Sequence, residues 1–96
     1  MADKRQSILV DSLEYCMECG RPHPHKHEVF FGSGKRELSI RYRMILPLCY
    51  EHHEGKYGPH MCRTTDLAYK CMAQEVWECT YGDRDDFIAV FGKSYL

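Results

Sequence analysis

The chain has 96 residues and a mass of 11.3 kDa, which is enough for one hydrophobic core and leaves no room for a second. Its 44% hydrophobic residues, seven Tyr, four Phe and one Trp exclude a disordered segment. The longest uncharged apolar runs, such as 44–50, are far shorter than the roughly 20 residues that span a bilayer, and no signal-peptide core is visible. We therefore expect a single domain over residues 1–96, a cytoplasmic location and no membrane partner.

Basic charge and histidine are concentrated in the middle of the chain. The net charge is −1, but residues 21–63 contain eight basic and four acidic side chains, which gives this segment a net charge of +4. All six histidines lie in the same segment: His23, His25, His27, His52, His53 and His60. This concentration indicates a function for imidazole groups there.

The first motif in chain order is a Cys-x-x-Cys knuckle at Cys16 and Cys19, and Cys49 and His52 repeat its spacing with histidine as the final ligand. Zn²⁺ prefers four thiolate or imidazole ligands in a tetrahedron, and two such knuckles supply them. We predict one structural zinc ion bound by these four residues. The alternatives are a disulfide or a redox pair at the first knuckle. Cys62 lacks the spacing and is expected to be a buried thiol, with a role as a further ligand as the alternative.

Two short strands follow the first knuckle. Residues 25–31 and 42–48 are rich in aromatic or branched side chains, and we expect them to pair as a β-hairpin. The segment 32–39 that connects them contains two glycines and the adjacent Lys35 and Arg36. We interpret it as a loop that either reaches a phosphate backbone or is simply solvated.

Two helices are predicted in the last third of the chain. Residues 64–66 offer N-caps, and the apolar residues that follow recur at helical spacing. Cys71 and Cys79 are part of this pattern and are expected to face inward as small apolar residues. A final short helix should begin near Asp83 and end at Gly92.

A second group of residues lies beside the knuckles and consists of His27, Glu28, His53 and His60. The chain thus contains Cys-x-x-Cys, a strand with an adjacent polar pair, a Gly-rich loop with Lys-Arg, Leu-Cys-x-x-His-His and a downstream His. This order resembles the HNH endonucleases with a ββα-metal core, and more closely the small phage-associated HNH proteins. The resemblance covers residues 16–60 and, more loosely, the helical tail.

The resemblance implies an α+β fold, with a small zinc-stabilised ββα-metal (HNH-like) core over about residues 14–62 and C-terminal helices over about residues 63–96. It implies that His27, His53 and His60 hold a catalytic divalent ion such as Mg²⁺, Mn²⁺, Ni²⁺ or Zn²⁺, and that Glu28 is the general base. Such an ion polarises the scissile phosphate while the base takes a proton from the attacking water.

Two features depart from the family pattern. Glu28 stands where the family most often has histidine as the base, so an alternative is that Glu28 binds the ion and His25 or His27 is the base. The family's middle Asn has no equivalent, and Ser39 is the nearest substitute. Because Gly58 and Pro59 should break a helix, His60 is expected to return on a loop.

The resemblance implies a DNA endonuclease or nickase that hydrolyses phosphodiester bonds, in the cytoplasm of a bacterial host if it is phage-encoded. The alternative is an HNH-like zinc module without catalysis that binds nucleic acid or protein as an accessory or inhibitor. DNA would be contacted mainly through its phosphates, without base-specific recognition. The basic residues expected to make these contacts are Lys35, Arg36, Arg41, Arg43, Lys56 and Arg63.

Overall fold

The fold is taken from a computed structural model, which describes residues 4–96. Two strands and four helices are found in these residues, and the chain is therefore α+β, as the sequence predicts. The elements are β1 (His25–Glu28), α1 (Lys35–Arg41), β2 (Ile45–Leu48), α2 (Tyr50–Glu54), α3 (Arg63–Thr80) and α4 (Arg84–Phe91). Within residues 4–96 no helix has the length and apolar character needed to cross a membrane.

Strands β1 and β2 form the predicted antiparallel hairpin, with His27 opposite Leu46 and Glu28 opposite Ile45. Successive side chains on a strand point to opposite faces. His25 and His27 therefore share one face of β1, and Glu28 points to the other. This alternation decides which residues reach the candidate sites.

The connection between the strands differs from the prediction, because it contains the helix α1 and both strands are shorter than expected. Lys-Arg-Glu-Leu is a run of good helix formers, and it follows Gly34, whose φ of 75° is available to glycine at little cost. Ser39 on α1 is fully buried; its hydroxyl accepts from the backbone N–H of Phe30 at 2.9 Å and donates to the carbonyl of Phe30 at 2.6 Å. Ser39 thus ties α1 to the chain that leaves β1.

The hydrophobic core lies between the hairpin region and the last two helices. Phe30 contacts both Phe87 and Phe91 of α4, with ring centroids 5.5 and 4.5 Å apart, and Trp77 of α3 lies 5.4 Å from Phe87. The buried residues of this core are Val29, Phe30, Met44, Leu46, Leu48, Ala73, Trp77, Phe87 and Phe91. The core therefore joins the predicted metal-binding half of the chain to the helical tail.

Both predicted C-terminal helices are present. Helix α4 begins after Asp83, whose side chain accepts from the backbone N–H of Asp86 in a capping box, and ends at Gly92, where φ is 92°. Helix α3 begins after Cys62, which is half-buried. The expectation that Cys79 faces inward is wrong: it is exposed, because it lies two residues, or about 200°, around the helix from the buried Trp77.

Cys71 is only half-buried. Its thiol donates a hydrogen bond to the backbone carbonyl of Tyr95 at 2.9 Å. Cys71 therefore helps to fasten the C-terminal segment to α3 and is not an entirely apolar packing residue.

Candidate metal centres

The two knuckles bring Cys16, Cys19, Cys49 and His52 into one group whose ligand atoms all lie within 4.8 Å of one another. The sulfur atoms of Cys19 and Cys49 are 3.7 Å apart, and Nδ1 of His52 lies 3.1 Å from Sγ of Cys49 and 3.8 Å from Sγ of Cys16. Zinc–sulfur bonds of about 2.3 Å at tetrahedral angles separate two sulfurs by about 3.8 Å. The four residues therefore have a spacing that fits one tetrahedral ion.

Local backbone structure positions both halves of this Cys/His group. The first knuckle closes with a hydrogen bond from the N–H of Gly20 to the carbonyl of Cys16, and the N–H of Met17 donates to the carbonyl of Pro47 at the end of β2. Cys49 is the N-cap of α2, and His52 lies in the helix itself. Sheet, turn and helix thus converge at this point.

Two thiols of the group, Cys49 and Cys16, favour the charged form that binds metals. The pKa of Cys19 is raised instead: a backbone hydrogen bond with Arg21 lowers it, but burial and the neighbouring thiols of Cys49 and Cys16 outweigh that effect. Hydrogen bonds from the backbone N–H and the ring of His52 lower the pKa of Cys49 to about 6, although burial opposes them. Burial raises the pKa of Cys16, but the backbone N–H groups of Cys49, Glu18 and Cys19 outweigh it and the net shift is downward. None of the six cysteines forms a disulfide in the described residues.

A second group consists of His27, His53 and His60, and we call it the three-histidine group. Nε2 of His53 lies 3.1 Å from Nδ1 of His27 and 3.0 Å from Nε2 of His60. Metal–nitrogen bonds of about 2.0–2.1 Å at tetrahedral angles separate two ligand nitrogens by about 3.3 Å. The three rings therefore fit a metal ion that leaves at least one coordination position open.

Burial favours the uncharged form of two members of this group, His27 and His53. Desolvation, followed by the positive charge of His53 and His60, lowers the pKa of His27 to about 3, and desolvation also lowers the pKa of His53. Neutral imidazole is the form that binds a metal ion. The other ring nitrogen of His27, Nε2, is buried without a hydrogen-bond partner, so Nδ1 is the nitrogen that faces the group.

His60 returns to this group on a loop, as the sequence predicts. A Cβ atom at Gly58 would lie 2.6 Å from the carbonyl oxygen of His53 and 2.8 Å from that of His52, so only glycine fits there. The N–H groups of Met61 and Cys62 both donate to the carbonyl of Gly58. The chain therefore folds back against the end of α2 and places His60 beside His53.

Glu28 does not lie among the ligand atoms of the three-histidine group. It is 8% exposed, and its Oε1 accepts from Nε and Nη2 of Arg5 at 3.2 and 3.0 Å. Its Oε2 lies 3.6 Å from Nη1 of Arg36. The sequence did not indicate Arg5, because no local pattern predicts its contact with Glu28, which lies 23 positions away.

Two further residues contact His53 from the other side. Nδ1 of His53 lies 2.8 Å from Nδ1 of His25 and 3.4 Å from Oε1 of Glu54. The sequence indicated His25 only as an alternative base and did not indicate Glu54. The signal for His25 was available in principle, because strand alternation places His25 on the same face as His27.

The six predicted phosphate-contacting residues lie at four places along the chain. Arg36 and Arg41 are exposed on α1 and Lys35 is half-buried there, whereas Arg43 precedes β2, Lys56 follows α2, and Arg63 begins α3. Arg36 is connected by its contacts to the three-histidine group, since it pairs with Glu28 and lies 5.9 Å from the centre of the Phe31 ring. That ring in turn lies 4.9 Å from His60.

No protein family, curated protein or solved structure matches this chain. Membership of the HNH endonucleases therefore stays a prediction that depends on the residue pattern. The described residues show an α+β fold and two groups of side chains that can hold a metal ion, which are the Cys/His group and the three-histidine group.

Proposed function

We propose that this protein is a metal-dependent nuclease, with an HNH-like ββα-metal core, that hydrolyses phosphodiester bonds in DNA. The observation that carries the proposal is the three-histidine group, in which Nε2 of His53 lies 3.1 Å from His27 and 3.0 Å from His60, beside a separate Cys/His group. In this proposal the Cys/His group binds a structural Zn²⁺ ion. The three histidines bind the divalent ion used in hydrolysis.

A metal ion bound by three neutral histidines supplies positive charge for the scissile phosphate and the leaving oxygen. His27, His53 and His60 fix its position from a strand, a helix and a loop. Because three protein ligands leave a coordination position open, a phosphate oxygen can reach the centre. This is the arrangement expected of a catalytic and not of a closed structural site.

Glu28 is the proposed proton acceptor for the attacking water. Its negative charge acts to raise the pKa of His53, a member of the three-histidine group, although its side chain points from the other face of β1. Its contact with Arg36, at 3.6 Å, is longer than its contacts with Arg5. A DNA phosphate that draws Arg36 away would free Oε2 of Glu28 at the moment when substrate is bound.

DNA is the proposed substrate because the basic residues lie on segments that flank the site: α1 and Arg43 follow β1, Lys56 lies between His53 and His60, and Arg63 follows His60. A surface of this kind binds phosphates without reading the bases. The net charge of +4 over residues 21–63 supports such binding, although the whole chain has a net charge of −1.

The second candidate is a zinc-stabilised binding module without hydrolytic activity. It is favoured by the pairing of Glu28 with two arginines, since both of its carboxylate oxygens already have cationic partners. A residue kept for such ion pairs stabilises structure and does not need to accept a proton. The two candidates predict opposite results in one assay.

The assay is nicking of a supercoiled plasmid by the zinc-loaded protein after addition of Mg²⁺, Mn²⁺, Ni²⁺ or Zn²⁺. The nuclease proposal expects nicking by the wild type and a loss of about 100-fold or more in Glu28→Gln, the typical effect of removing a general base. Glu75→Gln, an exposed change on α3, is the matched control and should nick as the wild type does.

Wild-type protein that binds DNA but is inert with every metal would favour the binding module. Equal nicking by the wild type and Glu28→Gln would leave the nuclease intact but move the base to another residue, with His25 the next to be replaced.

A further inference from the structure

His53 has both ring nitrogens within hydrogen-bonding distance of other groups. Nε2 faces His27 and His60, while Nδ1 lies 2.8 Å from Nδ1 of His25 and 3.4 Å from Oε1 of Glu54. The rings of His25 and His53 meet nearly edge-on, at 81° with centroids 5.0 Å apart. His25 thus lies outside the three-histidine group but contacts its central member.

A neutral imidazole has one N–H donor and one acceptor nitrogen. With the proton of His53 on Nδ1, Nε2 keeps the lone pair that binds a metal ion. With the proton on Nε2, the N–H points at His27 and His60 and blocks the position of the ion. The affinity of the group therefore depends on which tautomer of His53 the surroundings favour.

The 2.8 Å contact between His25 and His53 requires one donor and one acceptor. His25 is exposed on β1, so its own proton can remain on Nε2 in contact with solvent while Nδ1 accepts. Glu54 offers a weaker acceptor for the same N–H, because its oxygen is 3.4 Å away and its side chain is 44% exposed. Both neighbours thus favour a proton on Nδ1 of His53.

We propose that His25 is a positioning residue of the second metal centre. Its Nδ1 accepts the Nδ1–H of His53 and holds His53 in the tautomer whose Nε2 binds the ion. This inference rests on the metal-binding part of the proposed function and not on nuclease activity. His25 would then support metal binding without being a ligand itself.

His25, His53 and Glu54 also have ligand atoms close enough to surround an ion of their own. With an ion in this group and another in the three-histidine group, both ring nitrogens of His53 would be ligands and the neutral ring would have to lose its single N–H proton. The single N–H of a neutral ring explains the same distances without that loss. The number of ions bound therefore distinguishes the two arrangements.

The first test is calorimetric titration of zinc-loaded protein with Ni²⁺ at constant pH. His25→Gln keeps a carbonyl oxygen that can accept the N–H, whereas His25→Lys can only donate. His23→Lys is the matched control, since His23 is exposed in the turn before β1 and belongs to neither metal group. We expect wild type, His25→Gln and His23→Lys to bind one Ni²⁺ with similar affinity and His25→Lys to bind about 10- to 100-fold more weakly.

The second test is nitrogen NMR of the His53 ring in the zinc-loaded protein before Ni²⁺ is added. The wild type and His25→Gln should carry the proton on Nδ1, and His25→Lys should carry a larger share on Nε2. If His25 had only a structural role, variants with the wild-type melting temperature would also keep the wild-type distribution of the proton between Nδ1 and Nε2 of His53.

The proposal is overturned if His25→Lys binds Ni²⁺ as tightly as His23→Lys does, or if the tautomer of His53 is the same in every variant. It is also overturned if the wild type binds two Ni²⁺ ions and both His25 variants bind one, because His25 would then be a ligand. A wild type that binds no ion beyond zinc would overturn this inference together with the metal centre of the proposed function.

Discussion

Replacing Cys16 with serine removes one of the four ligand atoms of the Cys/His group at a position that is only 3% exposed. Structural zinc sites contribute about 10–16 kcal/mol of binding free energy, so the share of one ligand is about 2.5–4 kcal/mol. A domain of 96 residues has a total stability of about 5–14 kcal/mol. At about 4–8 °C per kcal/mol for a domain of this size, Cys16→Ser should melt about 10–30 °C below the wild type.

The assay is thermal unfolding followed by circular dichroism, with zinc content measured on the same samples. Cys79→Ser makes the same chemical change at an exposed position outside both metal groups and should melt as the wild type does. An excess of a zinc chelator should remove the difference between Cys16→Ser and the wild type, because the loss acts through the metal. If Cys16→Ser keeps the wild-type melting temperature, or if the difference persists in chelator, the Cys/His group does not stabilise the fold through zinc.

Two further predictions concern charge. Replacing Lys35 and Arg36 together with alanine should weaken DNA binding at low salt and reduce the dependence of affinity on salt, because fewer counterions are then released. Fluorescence anisotropy at several salt concentrations measures both quantities. If affinity depends on salt as steeply in the double variant as in the wild type, the DNA surface lies elsewhere. The pKa of His27 falls from 6.5 to about 3 on folding, so the unfolded chain binds the additional proton and stability should fall as the pH decreases from about 6.5 to 3. Denaturant unfolding at several pH values should show that the wild type loses up to about 1.4 kcal/mol more unfolding free energy per pH unit than His27→Gln does in this range, and equal losses would contradict the burial of a neutral ring.

The sequence predicted the Cys/His group well because each knuckle is local. Cys16 and Cys19, like Cys49 and His52, are separated by a single turn of chain, so their spacing alone nearly fixes their geometry. The loop position of His60 was predictable for a similar reason, since Gly58 and Pro59 disfavour a helix that continues to His60, although α2 itself ends earlier, at Glu54.

Contacts between distant segments that carry no matching pair of motifs were not predictable in this way. The pairing of Arg5 with Glu28 depends on how the N-terminal segment crosses the hairpin, and no spacing rule describes that path. Helix α1 was missed because glycines before Lys35 suggested a loop, whereas Ser39 fixes the helix by a buried contact with Phe30. In both cases tertiary packing decided what local propensity left open.

The Cys/His group and the three-histidine group have no ligand in common, but helix α2 positions residues of both. Helix α2 has five residues, of which none is fully buried, and a helix of that length is not stable alone. It is held at its start by Cys49 and within its first turn by His52, both in the Cys/His group, and His53 is the next residue. We therefore expect loss of a metal ion from the Cys/His group to release the helix that positions His53, whereas loss of an ion from the three-histidine group should leave the Cys/His group intact. The expected dependence runs in one direction, from the Cys/His group to the three-histidine group.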